Sequence, residues 1–82
     1  MGQLVGKVKR YFGKIGVAVI DVVSGEIRIG DVIRIKNSED QFDQTVDSMQ
    51  VDHEEVQVAS AGQSVGLKVN ASVNEGDEVY KM

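Results

Sequence analysis

The sequence contains no cysteine, no proline and no tryptophan, and its only histidine is His53. Without cysteine there are no disulfides, no thiolate metal ligands and no cysteine nucleophile. One histidine is too few for a His-rich zinc site. Leucine and alanine are scarce, with two and four residues, and a helical domain is built from just those residues. No apolar run approaches the roughly 20 residues of a membrane helix. No basic-then-apolar leader marks a signal peptide. The expectation is a soluble, cytoplasmic chain with no membrane contact, no metal, no cofactor and little equipment for catalysis.

What is present is β-branched. Fifteen valines and six isoleucines stand in 82 residues, and both side chains suit a pleated, half-buried surface. Leu4, Gly6 and Val8 alternate with Val5, Lys7 and Lys9. Ile33 and Ile35 alternate with Arg34 and Lys36, and Val65, Leu67 and Val69 with Gly66 and Lys68. A period of two reads as strands with one buried and one wet face. Glycines 13, 25, 30, 62 and 76 separate the runs. The pattern predicts strands over about 3–12, 15–23, 31–36, 42–53, 56–58, 64–70 and 77–81, in one all-β domain spanning 1–82. Closure into a small barrel removes exposed edges. In the fourth strand the apolar positions Val46, Met49 and Val51 are spaced by three and then two. An extra residue at Asp47-Ser48 restores the register, which predicts a β-bulge there.

Several chemical motifs fail on their context. Gly13-Lys14-Ile15-Gly16 is a literal G-x-x-G, but it joins two strands, so it reads as a hairpin turn and not a nucleic-acid clamp. Asn70-Ala71-Ser72 is a sequon without a secretory signal. Met1-Gly2 lacks the Ser or Thr at position 6 that acylation needs. There is no G-x-x-x-x-G-K-[ST] loop and hence no P-loop for GTP. Asp40, Asp43 and Asp47 lack the spacing of a calcium loop. His53 beside Glu54 and Glu55 has no nucleophile to serve and reads as a loop histidine. No catalytic residue is assigned.

Charge is divided unevenly. Residues 1–38 carry seven cations and three acids, a net of +4, whereas residues 39–82 carry two cations and ten acids, a net of −8. Lys7, Lys9, Arg10 and Lys14 surround Tyr11 and Phe12. Cations interleaved with aromatics can follow phosphates and stack bases. They can equally solvate an outer barrel face.

The ordered motifs resemble the second domain of the translational GTPases, the barrel of elongation factor Tu and elongation factor 1-alpha. Val5 to Ile35 is similar to that family's opening, with Gly25, Ile27, Gly30, Asp31 and Ile33 matching G-x-[IL]-x-x-G-D-x-[IV]. Thr45 to Glu54 resembles its V-x-S-[IVM]-x-[MV]-x-H-E strand, and Ala61 to Leu67 its A-x-x-G-[DQ]-x-V-G turn and strand. Glu75 to Val79 resembles the closing strand. The chain is also similar to a barrel at the end of some collagenase-like peptidases. The resemblance implies a closed six-stranded Greek-key barrel. It implies close strand approach at Gly6, Gly16 and Gly66, turns at Gly30-Asp31 and Gly76-Asp77, and a structural place for His53-Glu54.

The expected function is therefore a non-enzymatic binding module that engages tRNA, ribosomal RNA or a translation-associated partner. The candidate surface is Lys7, Lys9, Arg10, Tyr11 and Lys14, with Arg34 and Lys36. The alternative is a protein-interaction barrel that docks a partner enzyme without RNA contact, using an acidic 39–55 face or a strand edge.

Overall fold

The computed structural model describes residues 2–82. It is all-β, with no helix and ten short strands. These are β1 (Gln3–Phe12), β2 (Val17–Val22), β3 (Glu26–Arg28), β4 (Val32–Lys36), β5 (Gln41–Thr45), β6 (Met49–Val51), β7 (Glu54–Glu55), β8 (Val58–Ser60), β9 (Ser64–Lys68) and β10 (Glu78–Lys81). Eight form one antiparallel sheet in the order β5-β4-β10-β1-β2-β9-β6-β7, and β3 pairs with β8 in a separate ribbon. The last strand, β10, lies between β1 and β4, so the two ends of the chain meet in the middle of the sheet.

The alternation predicted for β4 and β9 holds. Ile33, Ile35, Val65 and Leu67 point inward and are at most 2 % exposed. They join Ile20, Ile27, Met49 and Val79 in a single core. Burying each such side chain contributes about 1.5–3 kcal/mol, which makes β-branched packing the main support of the fold.

β1 departs from the expected alternation. Val5 and Val8 are buried, and Leu4 is only half-buried. The register slips between Leu4 and Gly6 against β10 and again between Val8 and Arg10 against β2. Two irregularities thus bend the longest strand, and each turns a spacing of three into continuous inward facing.

The bulge expected at Asp47-Ser48 is instead a break. β5 ends at Thr45 and β6 begins at Met49, and in between the chain changes partner from β4 to β9. Val46 stays buried and exchanges backbone hydrogen bonds with the Gly30-Asp31 turn. The six longer wall segments (β1, β2, β4, β5–β6, β9 and β10) give the barrel its shape. β5 pairs with β4 and β6 with β9, so this one segment joins the two sides of the wall, with the ladder interrupted between Thr45 and Met49. The ribbon strand β3, only three residues long and directly after Gly25, is too short to stand out from its loop in the sequence, and the strand expected at 56–58 lies at Val58–Ser60.

Three turns repeat one design. Asp31, Gln63 and Asp77 each donate their backbone N–H to the residue three before, and each side chain accepts the backbone N–H of that same residue at 2.8–2.9 Å. The third position is Gly30, Gly62 or Gly76, with φ between 92° and 94°, a region that strains any side chain. The turns expected at Gly30-Asp31 and Gly76-Asp77 are two of the three.

The glycines implied to permit close strand approach divide. Gly6 does so: a Cβ there would stand 2.6 Å from the Asp21 carbonyl oxygen. Gly66 has ordinary space, 3.8 Å to Val17, and Gly16 is a turn residue at φ 65°. His53 is structural in placement. With Asp52 it forms the two-residue β6–β7 turn, both at positive φ (66° and 52°).

Candidate functional site

The seven residues singled out in the sequence do not form one patch. Lys7, Lys9 and Arg10 are exposed on β1, and Lys14 is exposed in the turn that follows it. Tyr11 lies half-buried against the core instead of standing free for stacking. Arg34 and Lys36 sit on β4, separated from β1 by β10. Register places acids between the cations. Lys36 is opposite Glu78, Glu78 opposite Lys7, and Lys7 opposite Asp21. Opposite charges on neighbouring strands offset one another, so this row is close to neutral and does not form a continuous track for phosphates.

The acids of 39–55 are also dispersed. Glu39 and Asp40 belong to the β4–β5 turn, where the Asn37 side chain accepts both their backbone amides at 2.8 Å. Asp52, Glu54 and Glu55 belong to the β6–β7 hairpin, beyond the break in the wall. Among the described residues no group of three or more histidines and acids is placed to hold a metal ion. Among the described residues no helix is long and apolar enough to cross a membrane.

The structure brings together a patch that the charge pattern alone did not define. On the outer face of β5, β4, β10 and β1, Asp43 lies opposite Arg34, Arg34 opposite Tyr80, and Tyr80 opposite Leu4. Arg34 grips Asp43 in a two-pronged pair, Nε to Oδ1 at 2.7 Å and Nη2 to Oδ2 at 3.1 Å. That hydrogen bonding holds the Asp43 carboxyl below its ordinary range and raises the Arg34 guanidinium further. Lys36 Nζ stands 5.3 Å from the centre of the Tyr80 ring, within reach of a cation–π contact. The Tyr80 hydroxyl donates to Glu78 Oε1 at 3.0 Å. Val32 and Met82, 42 % and 43 % exposed, extend the patch, and the Met82 amide donates to the Val32 carbonyl.

Gly2, Arg34, Lys36, Gln41, Tyr80 and Met82 line a shallow depression here of ≈ 220 Å³. This is smaller than the roughly 300–1,000 Å³ of a small-molecule pocket. An Arg and a Tyr held in fixed rotamers, with Met and Val beside them, is instead the composition enriched at protein interfaces. The sequence signal for it was the alternation Glu78, Tyr80, Met82. Only strand order reveals that this row lies beside Val32, Arg34 and Lys36.

The fold is a barrel of short antiparallel strands. Residues 16–79 match the model of the family elongation factor Tu domain 2, and the chain belongs to that family. It is 38% identical over 77 residues to an uncharacterised protease of Methanocaldococcus jannaschii, covering 93% of this chain and 19% of that protein. It is 33% identical over 78 residues to a collagenase of Porphyromonas gingivalis, covering 94% of this chain and 22% of that protein. The chain thus spans about a fifth of the length of these curated relatives. Its fold is similar to the crystal structure of the C-terminal domain of a Geobacillus thermoleovorans protein described as a U32 peptidase. The TM-score is 0.90 at 22% identity, over 96% of this chain and 99% of that one. A second crystal structure of that domain gives the same score and identity, over 98% and 92%. These relatives are protease-related, which leaves the expected RNA and ribosome partners without support.

Proposed function

We propose that this chain is a non-catalytic protein-docking barrel of the kind appended to collagenase-like U32 peptidases, and that residues 1–82 make up that one domain. The observation that carries this reading is the Val32, Arg34, Lys36, Tyr80, Met82 patch, a rigid aromatic and guanidinium surface over a depression too small for a cofactor. The likeness to protease-related chains supports a protein partner, namely the catalytic body of such a peptidase. Of the seven candidate binding residues, Arg34 and Lys36 act at this contact. Lys7, Lys9, Arg10, Tyr11 and Lys14 lie outside it or at its margin.

The test is calorimetric titration of the chain into a U32 peptidase body from which the matching barrel has been deleted. Saturable binding is expected. Tyr80→Ala and Arg34→Ala each weaken it about tenfold or more, as anchors at the centre of an interface do. No binding to the body, together with salt-sensitive binding to tRNA, overturns the proposal in favour of an RNA module.

A further inference from the structure

We propose that two copies of this chain pair through the outer face of β1, β2, β9, β6 and β7, as a two-fold dimer whose axis runs along β9. This does not depend on the peptidase reading and uses the opposite side of β1 from the docking patch. One register row carries it. Arg10 lies opposite Val19, Val19 opposite Gly66, Gly66 opposite Gln50, and Gln50 opposite Glu55. All five positions face outward. Arg10, Gln50 and Glu55 are exposed, and the neighbours of Val19 and Gly66 along their strands are buried.

Across the strands the row reads cation, apolar, glycine, polar, anion. A two-fold axis parallel to the strands through β9 reverses that order in the second copy. Arg10 then meets the second copy's Glu55, Val19 meets Gln50, and Gly66 meets Gly66. Such a contact is self-complementary and closed. The centre of the row is the position without a side chain, where two convex barrel faces approach most closely. The charged ends are long side chains that reach across the widening gap at the margins.

The charge distribution of the whole face agrees. Residues 2–20 contain no Asp or Glu, and residues 37–67 contain no Lys or Arg. The first segment forms β1 and most of β2, at one edge of the face, and the second includes β6 and β7, at the other. Among the described residues, Lys9, Arg10, Lys14, Glu54 and Glu55 make no ion pair within the chain. Beside the axis the β2 positions are apolar, while on β9 itself the outward neighbours of Gly66 are Ser64 and Lys68, both exposed. Val17 and Val19 are half-buried, Phe12 is 45 % exposed, and Ile15, in the adjoining turn, is 63 % exposed. Beside Gly66 lies a depression of ≈ 160 Å³ lined by Val17, Met49 and Leu67 and flanked by Glu55 and Lys68, large enough for one aliphatic side chain. A nucleic acid would use the cationic edge and be repelled by the acidic one, whereas a second copy satisfies both. The apolar β2 positions beside the axis supply contact area, and the marginal charges set orientation and specificity.

Sedimentation equilibrium of the full chain tests this, from micromolar to millimolar concentration at low salt. The expected mass rises from 8.9 kDa to twice that value. Gly66→Arg blocks the closest approach. A Cβ at this position makes only ordinary contacts of 3.8 and 3.9 Å within the chain, so the monomer folds while dimer Kd rises about tenfold or more. Arg10→Glu weakens the dimer, and the double variant Arg10→Glu/Glu55→Arg restores it, which keeps the test decisive if Gly66→Arg fails to fold. A monomer throughout the range, a dimer indifferent to Gly66→Arg, or a charge swap that restores nothing each overturns the proposal.

Discussion

The side-chain amide of Gln44 joins β5 to the end of β9 by a pair of hydrogen bonds. Its Nε2 donates to the Lys68 carbonyl at 2.7 Å, and its Oε1 accepts the Asn70 amide at 2.8 Å. One donor and one acceptor facing a strand are what a neighbouring backbone would offer, so the amide substitutes for a missing rung where the ladder stops. Gln44 is 6 % exposed, and both bonds are partly buried.

Gln44→Ala therefore strands a carbonyl and an amide and opens the seam. The expected loss is about 2–3 kcal/mol, the cost of leaving two partly buried backbone groups unpaired. In a domain of this size that lowers Tm by roughly 10–20 °C. Thermal unfolding followed by circular dichroism checks it. A shift of only a few degrees would mean that the seam is held by packing alone.

How much of this was legible in the sequence depends on whether the signal is local. The alternations of β4 and β9 are local, and their inward faces follow directly from Ile33, Ile35, Val65 and Leu67. Gln44 was visible as a polar residue in the inward series Phe42, Gln44, Val46. Its partners were not, because Lys68 and Asn70 reach it only through the partner exchange between β5 and β6. That exchange and a bulge leave the same trace, an apolar spacing of three, so Val46 to Met49 does not separate them. The two irregularities of β1 carry the same spacing in Val5, Val8 and Tyr11, where the alternation Leu4, Gly6, Val8 masks it. At the candidate site, charge clustering pointed to β1. The acids that intervene come from the two neighbouring strands, Asp21 from the next strand of the hairpin and Glu78 from the far end of the chain.

Gly6 and Gly66 both lie in strands, and substitution separates their roles. Alanine at Gly6 places a methyl group 2.6 Å from the Asp21 carbonyl oxygen and 2.8 Å from Ile20 Cγ2. Backbone must move to admit it, at a cost of about 1–3 kcal/mol or more. Alanine at Gly66 meets nothing closer than 3.8 Å and restricts the unfolded chain, which stabilises by up to about 1 kcal/mol. Urea unfolding of the two variants, compared at equal m-value, should give opposite signs.

The Asp52-His53 turn holds two ordinary residues at positive φ, a conformation costing each about 1–2 kcal/mol when a side chain is present. A two-residue hairpin of this shape prefers Asn-Gly. Replacing Asp52 and His53 with that pair is expected to stabilise the fold by about 1 kcal/mol, read as a higher urea midpoint. Loss of stability would mean that the native side chains hold the hairpin by contacts of their own.

Tyr80 links pH to the docking patch. Its hydroxyl donates to Glu78 Oε1, and that bond, with partial burial and the Glu78 charge, raises its pKa above the ordinary 10.0. The neutral phenol is the form the folded protein favours. Its contribution to stability is full below the unfolded value and is lost as pH rises through the elevated folded value. In a Tyr11→Phe background Tyr80 is the only tyrosine, so phenolate absorbance reports it alone. Glu78→Gln removes the charged acceptor and should lower the midpoint. Because the same bond fixes the ring beneath Lys36, Glu78→Gln should also weaken binding to a peptidase body, by less than Tyr80→Ala does. An unchanged midpoint would show that the hydroxyl is free in solution and that the patch is not preorganised.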